Sequence, residues 1–487
     1  MSKLSKNSME IVDEIRNKTG NSPDIIIKRL TFLGSDVHII FSETMSDRTT
    51  INEFVLEFFE TKNNNKKQAP DIMKYINSKI PTHKITKITE YDELFYNLLS
   101  GFTIILVNGS EEALSMECKK SLDSGVTAAQ AEIVIKGPKD AFTENYETNI
   151  GLIRKRMKSE KLWLEEQIVG TRSKTKVGIM YVEDIVDKEL VKYVIEKIKN
   201  FNVDAIMDSN YIVEMMSGNK RNAFSNFLST ERPDMVNMHL LNGKIAIIVE
   251  NTQYVVVIPT VFTDFFHTSE DLYHKSINVN YTRVIRFLAF FITIFTPAIY
   301  IAITTHNHEA IPQELLISFS AQRDGVPFPS IVEAILMIIT FEILKESDLR
   351  MPNTIGSALS IVGALVLGEA AVQAGVVSPI MVIVIAITSI SGLISASPDL
   401  VYGVRLWRLL FLIASATLGL IGIFISSLIF IINLVSIKSF GIPYFSPLAP
   451  FNTKNQDNAI FFTNKRKFFK RDVLTAKQNK HRSAGDD

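Results

Sequence analysis

A single cysteine, Cys118, occurs in 487 residues. An internal disulfide and a multi-cysteine metal site are therefore excluded. That scarcity suits a reducing, cytoplasmic setting for the polar part of the chain. Neither sign of charge predominates, with Lys+Arg and Asp+Glu at 52 each, so there is no global basic footprint for nucleic acid. The polar run 61–68, TKNNNKKQ, lacks interleaved aromatics and reads as a solvated loop. The N-terminal MSKLSKNSMEIVDEIRNKTG has no apolar core of the kind a signal peptide needs. Also missing are GxxxxGKS/T, GxGxxG after a strand, GxSxG, HExxH and CxxC. His306 and His308, with only Glu309 beside them, fall short of a zinc set and read as an interfacial loop. No catalytic residue, metal site or cofactor is assigned, and an enzyme is not expected.

What is present is a long apolar region. Charge crowds into residues 1–286 and 451–487, and the span between is apolar. Within it, residues 351–398 carry one charge, Glu369, and read as two membrane crossings, about 355–375 and 378–397, joined near Gly375–Pro379. Gly356, Ser360, Ala364 and Gly368 recur every fourth position, with Gly363 beside them, so backbones of neighbouring helices can approach closely on that face. Tight packing within one chain and a closed ring of identical helices around a pore both need such a face. Glu369 is then either an interfacial carboxylate or a group lining an ion pathway.

Residues 287–305 are a further crossing, kinked by Pro297, and Arg283 and Arg286 before it place the preceding domain on the cytoplasmic side. Segment 328–344 is apolar but holds Glu333 and Glu342, candidate gating carboxylates on opposite faces of one helix, with Lys345 in reach of Glu342. It is expected to be re-entrant or interfacial. Arg405 and Arg408 form a boundary anchor before the last crossing, 409–437. The tail after Phe451 has nine Lys/Arg against four acids and should stay inside. With both ends inside the number of crossings is even, and four are counted.

Before the apolar region the pattern is α/β. A polar segment, 1–20, precedes a first α/β subdomain, 21–135, with strands near 24–30, 37–41 and 102–107. A linker region, 136–170, contains an amphipathic helix, Asp140–Lys158, whose basic end (Arg154, Lys155, Arg156, Lys158) complements the helix dipole. A second subdomain, 171–285, has a strand at 176–182, a helix at 187–200 and a hairpin at 245–258. Gly101–Ser110 and Gly243–Thr252 echo each other as glycine, apolar strand and Asn-containing turn. The fold class expected is thus a cytoplasmic α/β domain of two small subdomains, then a multi-pass α-helical membrane domain (286–440), then a basic tail (441–487).

Several phrases are specific enough to carry a resemblance: 136–145 (KGPKDAFTEN), 169–177 (VGTRSKTKV), 230–234 (TERPD), 286–291 (RFLAFF), 323–329 (RDGVPFP), 361–366 (IVGALV) and 441–451 (GIPYFSPLAPF). From about Asp24 to Phe451 the chain resembles the A subunit of the GerA-type spore germination proteins. Arg323-Asp324 stands where that family is expected to have Arg-Glu. The resemblance implies a subunit of a nutrient germinant receptor in the spore inner membrane. Its implied partners are a transporter-like B subunit that binds the nutrient, a lipoprotein C subunit, further copies of itself and membrane lipid. Such subunits are expected to form rings that conduct ions when the nutrient binds. Two other readings stay open: a sporulation-stage paralogue, such as the stage V sporulation AF protein, acting as a scaffold or modulator, and a secondary transporter.

Overall fold

The structure, a computed structural model, describes residues 3–53, 73, 76, 85–121, 128–129, 131–217, 222–350, 366–394, 397–451, 460–462, 471–472 and 474–482. Its contacts divide the chain into two units. One comprises Met1–Lys220, Ser229–Thr260 and Arg466–Asp487, and the other Arg221–Leu228 and Val261–Lys465.

The first unit contains two five-stranded sheets of one topology. Strands β1 (Ile25–Phe32), β2 (Ser35–Ser42), β3 (Ile85–Ile88), β4 (Phe102–Val107) and β5 (Ala113–Glu117) lie in the order β1-β2-β4-β5-β3. Strands β6 (Leu162–Val169), β7 (Thr175–Val182), β8 (Leu228–Thr230), β9 (Ile245–Val249) and β10 (Val255–Ile258) repeat it as β6-β7-β9-β10-β8. The echoing phrases around 102–107 and 245–249 are β4 and β9, which hold the same third place. Successive side chains of a strand face opposite ways. Accordingly Ile39 and Ile105 enter one core cluster, and Ile40 and Ile104 the other.

The second of those clusters takes in the polar segment 1–20, whose expected form is a loosely ordered helix. Helix α1 (Ser8–Lys18), capped by the Asn7 side chain, sets Ile11, Val12 and Ile15 into the sheet beside helix α2 (Tyr91–Leu98). Three apolar residues among eleven suffice, because they fall on one helical face.

The basic end of the linker is corrected. Helix α3 (Tyr146–Arg156) starts at an Asn145 cap, later than expected, and Arg154 is buried. Its Nε lies 2.6 Å from Asp24 Oδ2, and its Nη2 donates to Ser22 Oγ at 3.3 Å. Ser22 Oγ also accepts the Leu164 N–H, and Trp163 donates its indole N–H to the Lys18 carbonyl. Arg156 pairs with Asp140 at 2.6 Å. These two charges join parts of the fold instead of facing water.

Helices α4 (Lys188–Lys199), α5 (Ser209–Ser217) and α6 (Pro233–Leu240) complete the second half. The C-terminal segment returns to it. Thr475 donates to the Asn242 carbonyl at 2.6 Å, Gln478 to Val186 at 3.0 Å and Arg471 to Leu241 at 2.9 Å, while Lys477 pairs with Asp187.

The second unit is helical: α7 (Ser276–Thr305), α8 (Gln313–Arg323), α9 (Ser330–Arg350), residues 366–373, α10 (Pro379–Leu393) and α11 (Pro398–Ser436). Two of these, Ser276–Thr305 and Asp399–Ser436, are long and apolar enough to cross a membrane. Ser378-Pro379 and Ser397-Pro398 start α10 and α11 as Ser caps followed by Pro in the first turn.

Two features set the path of the chain through this unit. Helix α9 stands alongside α10: Glu333 near its start meets Ser378 at the start of α10, and Phe341 and Glu342 share a cavity with Thr388–Leu393 at the far end. It does not lie flat across the bundle. Helix α11 is not one rod either. At Gly419 the backbone adopts φ 62° and ψ −138°, and the chain folds back so that Trp407 and Phe430 sit 4.9 Å apart. The break is capped by the end of α7. The freed Leu420 N–H donates to Asn307 Oδ1 at 3.0 Å, and His306 Nε2 lies 2.8 Å from the Ala416 carbonyl. A non-helical backbone in apolar surroundings requires such partners.

A Cβ at position 419 would lie 2.4 Å from Asn307 Oδ1 in a conformation that L-residues rarely adopt. Gly419→Ala is expected to cost about 1–3 kcal/mol. Thermal unfolding of the full chain in detergent should show a lowered midpoint. A midpoint equal to wild type would mean that the turn is not held this way.

Candidate functional site

Three carboxylates stood out in the apolar region, and the structure gives them three different environments. Glu333, in the first turn of α9, is completely buried. Its Oε2 accepts the Ser378 backbone N–H at 2.8 Å, and its Oε1 lies 3.7 Å from Arg323 Nε at the end of α8. One side chain thus ties together the ends of α8, α9 and α10. Tyr300 of α7 packs in the same core, with Ala334, Val377 and Met381. Among the described residues, Glu333 Oε1 makes no hydrogen bond. An ionised carboxylate offers about four acceptor positions, so this lock is incompletely satisfied.

Glu342, two turns or more along α9, pairs with Arg405 at 2.9 Å and Arg408 at 3.2 Å, both from α11. The expected partner Lys345 makes no ion pair among the described residues. Two guanidinium groups three residues apart on one helix face prevail over a single ammonium group. Arg405 and Arg408 are therefore more than boundary anchors.

Glu369, in the helical residues 366–373, is exposed, and its Oε1 accepts a hydrogen bond from Gln373 at 3.1 Å. Val366 and Leu367 beside it are exposed at 54% and 47%. Among the described residues a Cβ at Gly368 would meet only Val382, at 3.8 Å, so none of them demands glycine there. Gly356, Ser360, Gly363 and Ala364 lie outside the described residues. The structure brings Glu333 and Glu342 onto one helix with separate partners, and it does not bring Glu369 to either.

The sequence reading missed Ser378 as a partner of Glu333, although its Ser-Pro signature marks a helix cap with unpaired N–H groups. It also missed Asp271. That residue pairs with Arg283 at 2.7 Å and Arg286 at 3.1 Å and so anchors the first turns of α7.

In the first unit, two of the distinctive phrases act as pins. Glu231 Oε1 accepts the N–H groups of Ala131 and Glu132, both at 2.7 Å, and the Glu231 carbonyl accepts the Phe142 N–H at 2.8 Å. Arg232 donates to Asp234 and, at 2.7 Å, to the Pro138 carbonyl. Thr230 donates to Glu132 Oε2 at 2.5 Å. The 230–234 phrase thereby fastens 131–142 to the sheet. Burial first, then the neighbouring Glu231, pushes the Glu132 carboxyl up to about 7, against the opposing Thr230 hydrogen bond and Arg232 charge.

Two outcomes follow from these contacts. Glu333→Ala leaves the Ser378 N–H without its acceptor, with an expected loss on the order of 3 kcal/mol, whereas Glu333→Gln keeps the acceptor and should lose less. Equal losses in detergent unfolding would discount the hydrogen bond. For Glu132, the folded state holds a proton between pH 4.5 and about 7 that the unfolded chain has released, so this group's contribution is full below 4.5 and falls as pH rises through that window. Denaturation followed by Trp163 fluorescence, with Trp407→Phe as background, should show the midpoint falling between pH 5 and 7.5, a slope that Glu132→Gln flattens.

Residues 13–474 match the family model described as Bacillus/Clostridium GerA spore germination protein. The chain is 36% identical over 453 residues to spore germination protein KA of Bacillus subtilis (strain 168), covering 92% of this chain and 83% of that one. It is 30% identical over 482 residues to spore germination protein GerQA of Bacillus cereus, covering 99% and 95%. Among solved structures, the N-terminal domain of the A subunit of the Bacillus megaterium spore germinant receptor GerK3 aligns at 26% identity and a TM-score of 0.43, over 54% of this chain and 98% of that domain. With a match that runs through both structural units, the chain belongs to the GerA family of spore germination proteins.

Proposed function

We propose that this protein is the A subunit of a spore nutrient germinant receptor and that several copies form a nutrient-gated ion channel in the spore inner membrane. The observation that carries the reading is Glu369. A carboxylate exposed beside exposed Val366 and Leu367 is untenable against lipid, so it calls for a neighbouring copy or water. A ring built of the expected 355–375 crossings around an aqueous path would supply both. The small-residue face at Gly356, Ser360, Gly363, Ala364 and Gly368 would pack that ring.

The helix directions support six passages rather than four. Helix α7 runs from Arg286 towards His306, and α9 returns from Glu333 to Glu342. The chain then reaches Ser378, α10 descends, and α11 climbs to Gly419 and folds back. Six is even, which agrees with the return of residues 471–482 to the first unit, on its own side of the membrane. The positive charges before α7 and after Phe451 favour the cytoplasmic side for both. The incompletely satisfied Glu333 lock, tying three helix ends, is the element that a partner's movement would bias. A transporter-like B subunit would sense the nutrient and a lipoprotein C subunit would complete the complex.

The test is potassium flux from liposomes holding the purified protein, alone and with its B and C partners. Flux that requires partners and nutrient is expected, and Glu369→Lys should lower cation selectivity. No flux in any combination, from folded and oligomeric protein, would favour the scaffold reading instead.

A further inference from the structure

Within the second unit, a cavity of about 280 Å³ opens between α7, α9, α10 and α11. That lies just below the usual range of ligand pockets, about 300–1,000 Å³. Four cations line it, Arg286, Lys345, Arg405 and Arg408, against one carboxylate, Glu342. Arg286 is already held by Asp271 at 3.1 Å. Arg405 and Arg408 share Glu342, each reaching it through Nη2. Lys345 has no ion pair among the described residues. The cavity therefore carries uncompensated positive charge. Most of its remaining wall is apolar, including Phe290, Phe341, Leu400 and Val404, with the hydroxyls of Thr293, Thr388, Ser389 and Ser391 among them.

Cation excess and apolar walls together fit a ligand with an anionic head and a hydrocarbon body. The position fits as well. The cavity lies where α7 and α11 begin and where α9 and α10 end, the end of the bundle that the basic flanks assign to the cytoplasmic leaflet. Acidic lipid concentrates on that leaflet, and basic pockets between helices take such head groups. A soluble anion would match the charges but would leave the apolar walls unfilled. We propose that this cavity binds an acidic phospholipid, its phosphate taken by Lys345 with Arg405 and Arg408, and its acyl chains lying against the apolar walls. Occupied, it would tie the starts of α7 and α11 to the end of α9, the helix that carries the Glu333 lock. The proposal rests on the membrane reading above but not on ion conduction.

The test uses the full chain purified in detergent, exchanged against phosphatidylglycerol or phosphatidylcholine, with the lipid retained per chain measured by mass spectrometry. Retention of phosphatidylglycerol but not phosphatidylcholine is expected. The double variant Lys345→Glu/Arg405→Glu should retain about thirtyfold less, the scale expected for two basic groups at an anionic surface. Gly392→Leu, whose Cβ would meet Thr293 only at an ordinary 3.5 Å, should fill the cavity and lower retention without altering charge. Lys438→Glu, an exposed change away from the cavity, should retain as wild type does. Equal retention of the two lipids, or wild-type retention in both cavity variants, would overturn the proposal. So would an equal thermal stabilisation by inorganic phosphate alone, which would point to a soluble anion. Lipid retention is read without ions, so its failure is distinct from an absence of flux.

Discussion

A carboxylate buried beyond the reach of water must find its cation and donors among side chains and helix ends, and Glu333 does so at the junction of three helices. Arg323 closes α8, Ser378 opens α10, and Glu333 sits in the first turn of α9. Helix starts offer unpaired N–H groups, so placing the acid against one satisfies two deficits at once. The Gly419 turn follows the same rule with a neutral partner: Asn307 supplies the acceptor that Leu420 has lost. At Glu333 burial dictates that polar groups meet, and in both places such meetings set where the helices reverse.

The first unit answers a different constraint. Each half is a five-stranded sheet in one order, and β4 and β9 are buried along nearly their whole length. A sheet covered on both faces needs cover from outside its own strands. In the first half, part of that cover comes from α1 and α2. The halves are joined by Arg154 with Asp24 and Ser22, and by Trp163 over the end of α1. The Trp163 ring lies so close to Gly20 that a Cβ there would sit 2.2 Å from it. Gly20 also has φ +63°, so two requirements fall on one glycine.

Much of this was legible in the residues because it is periodic. Short apolar runs marked β1, β2, β4, β7, β9 and β10, and the stretch from Asp187 to Asn200 was legible as α4. Long uninterrupted apolar runs marked α7 and α11. What escaped was long-range pairing. Nothing local distinguishes Arg154, buried against an acid 130 positions away, from Lys155 beside it. The fold-back in α11 escaped for a related reason. Gly419 and Gly422 sit in a run uniform enough to pass for one helix, and only the presence of Asn307 at the end of α7 makes the break affordable. Of the candidate site, the choice of Glu333 and Glu342 came from the rarity of charge in apolar sequence, whereas their partners came from the fold.

The contrast among the three carboxylates carries the remaining step. Glu333 and Glu342 are neutralised within one chain by Arg323 and by Arg405 with Arg408, whereas among the described residues Glu369 meets Gln373, a neutral amide one turn away. Were the second unit complete as a monomer in lipid, all three should be provided for alike, since each would face the same desolvation. The one left without a cation is also the one flanked by exposed apolar side chains. A charge without a cation and an exposed apolar surface thus fall together within residues 366–373. In the proposed ring, neighbouring copies would cover the apolar residues while an aqueous axis solvates the acid.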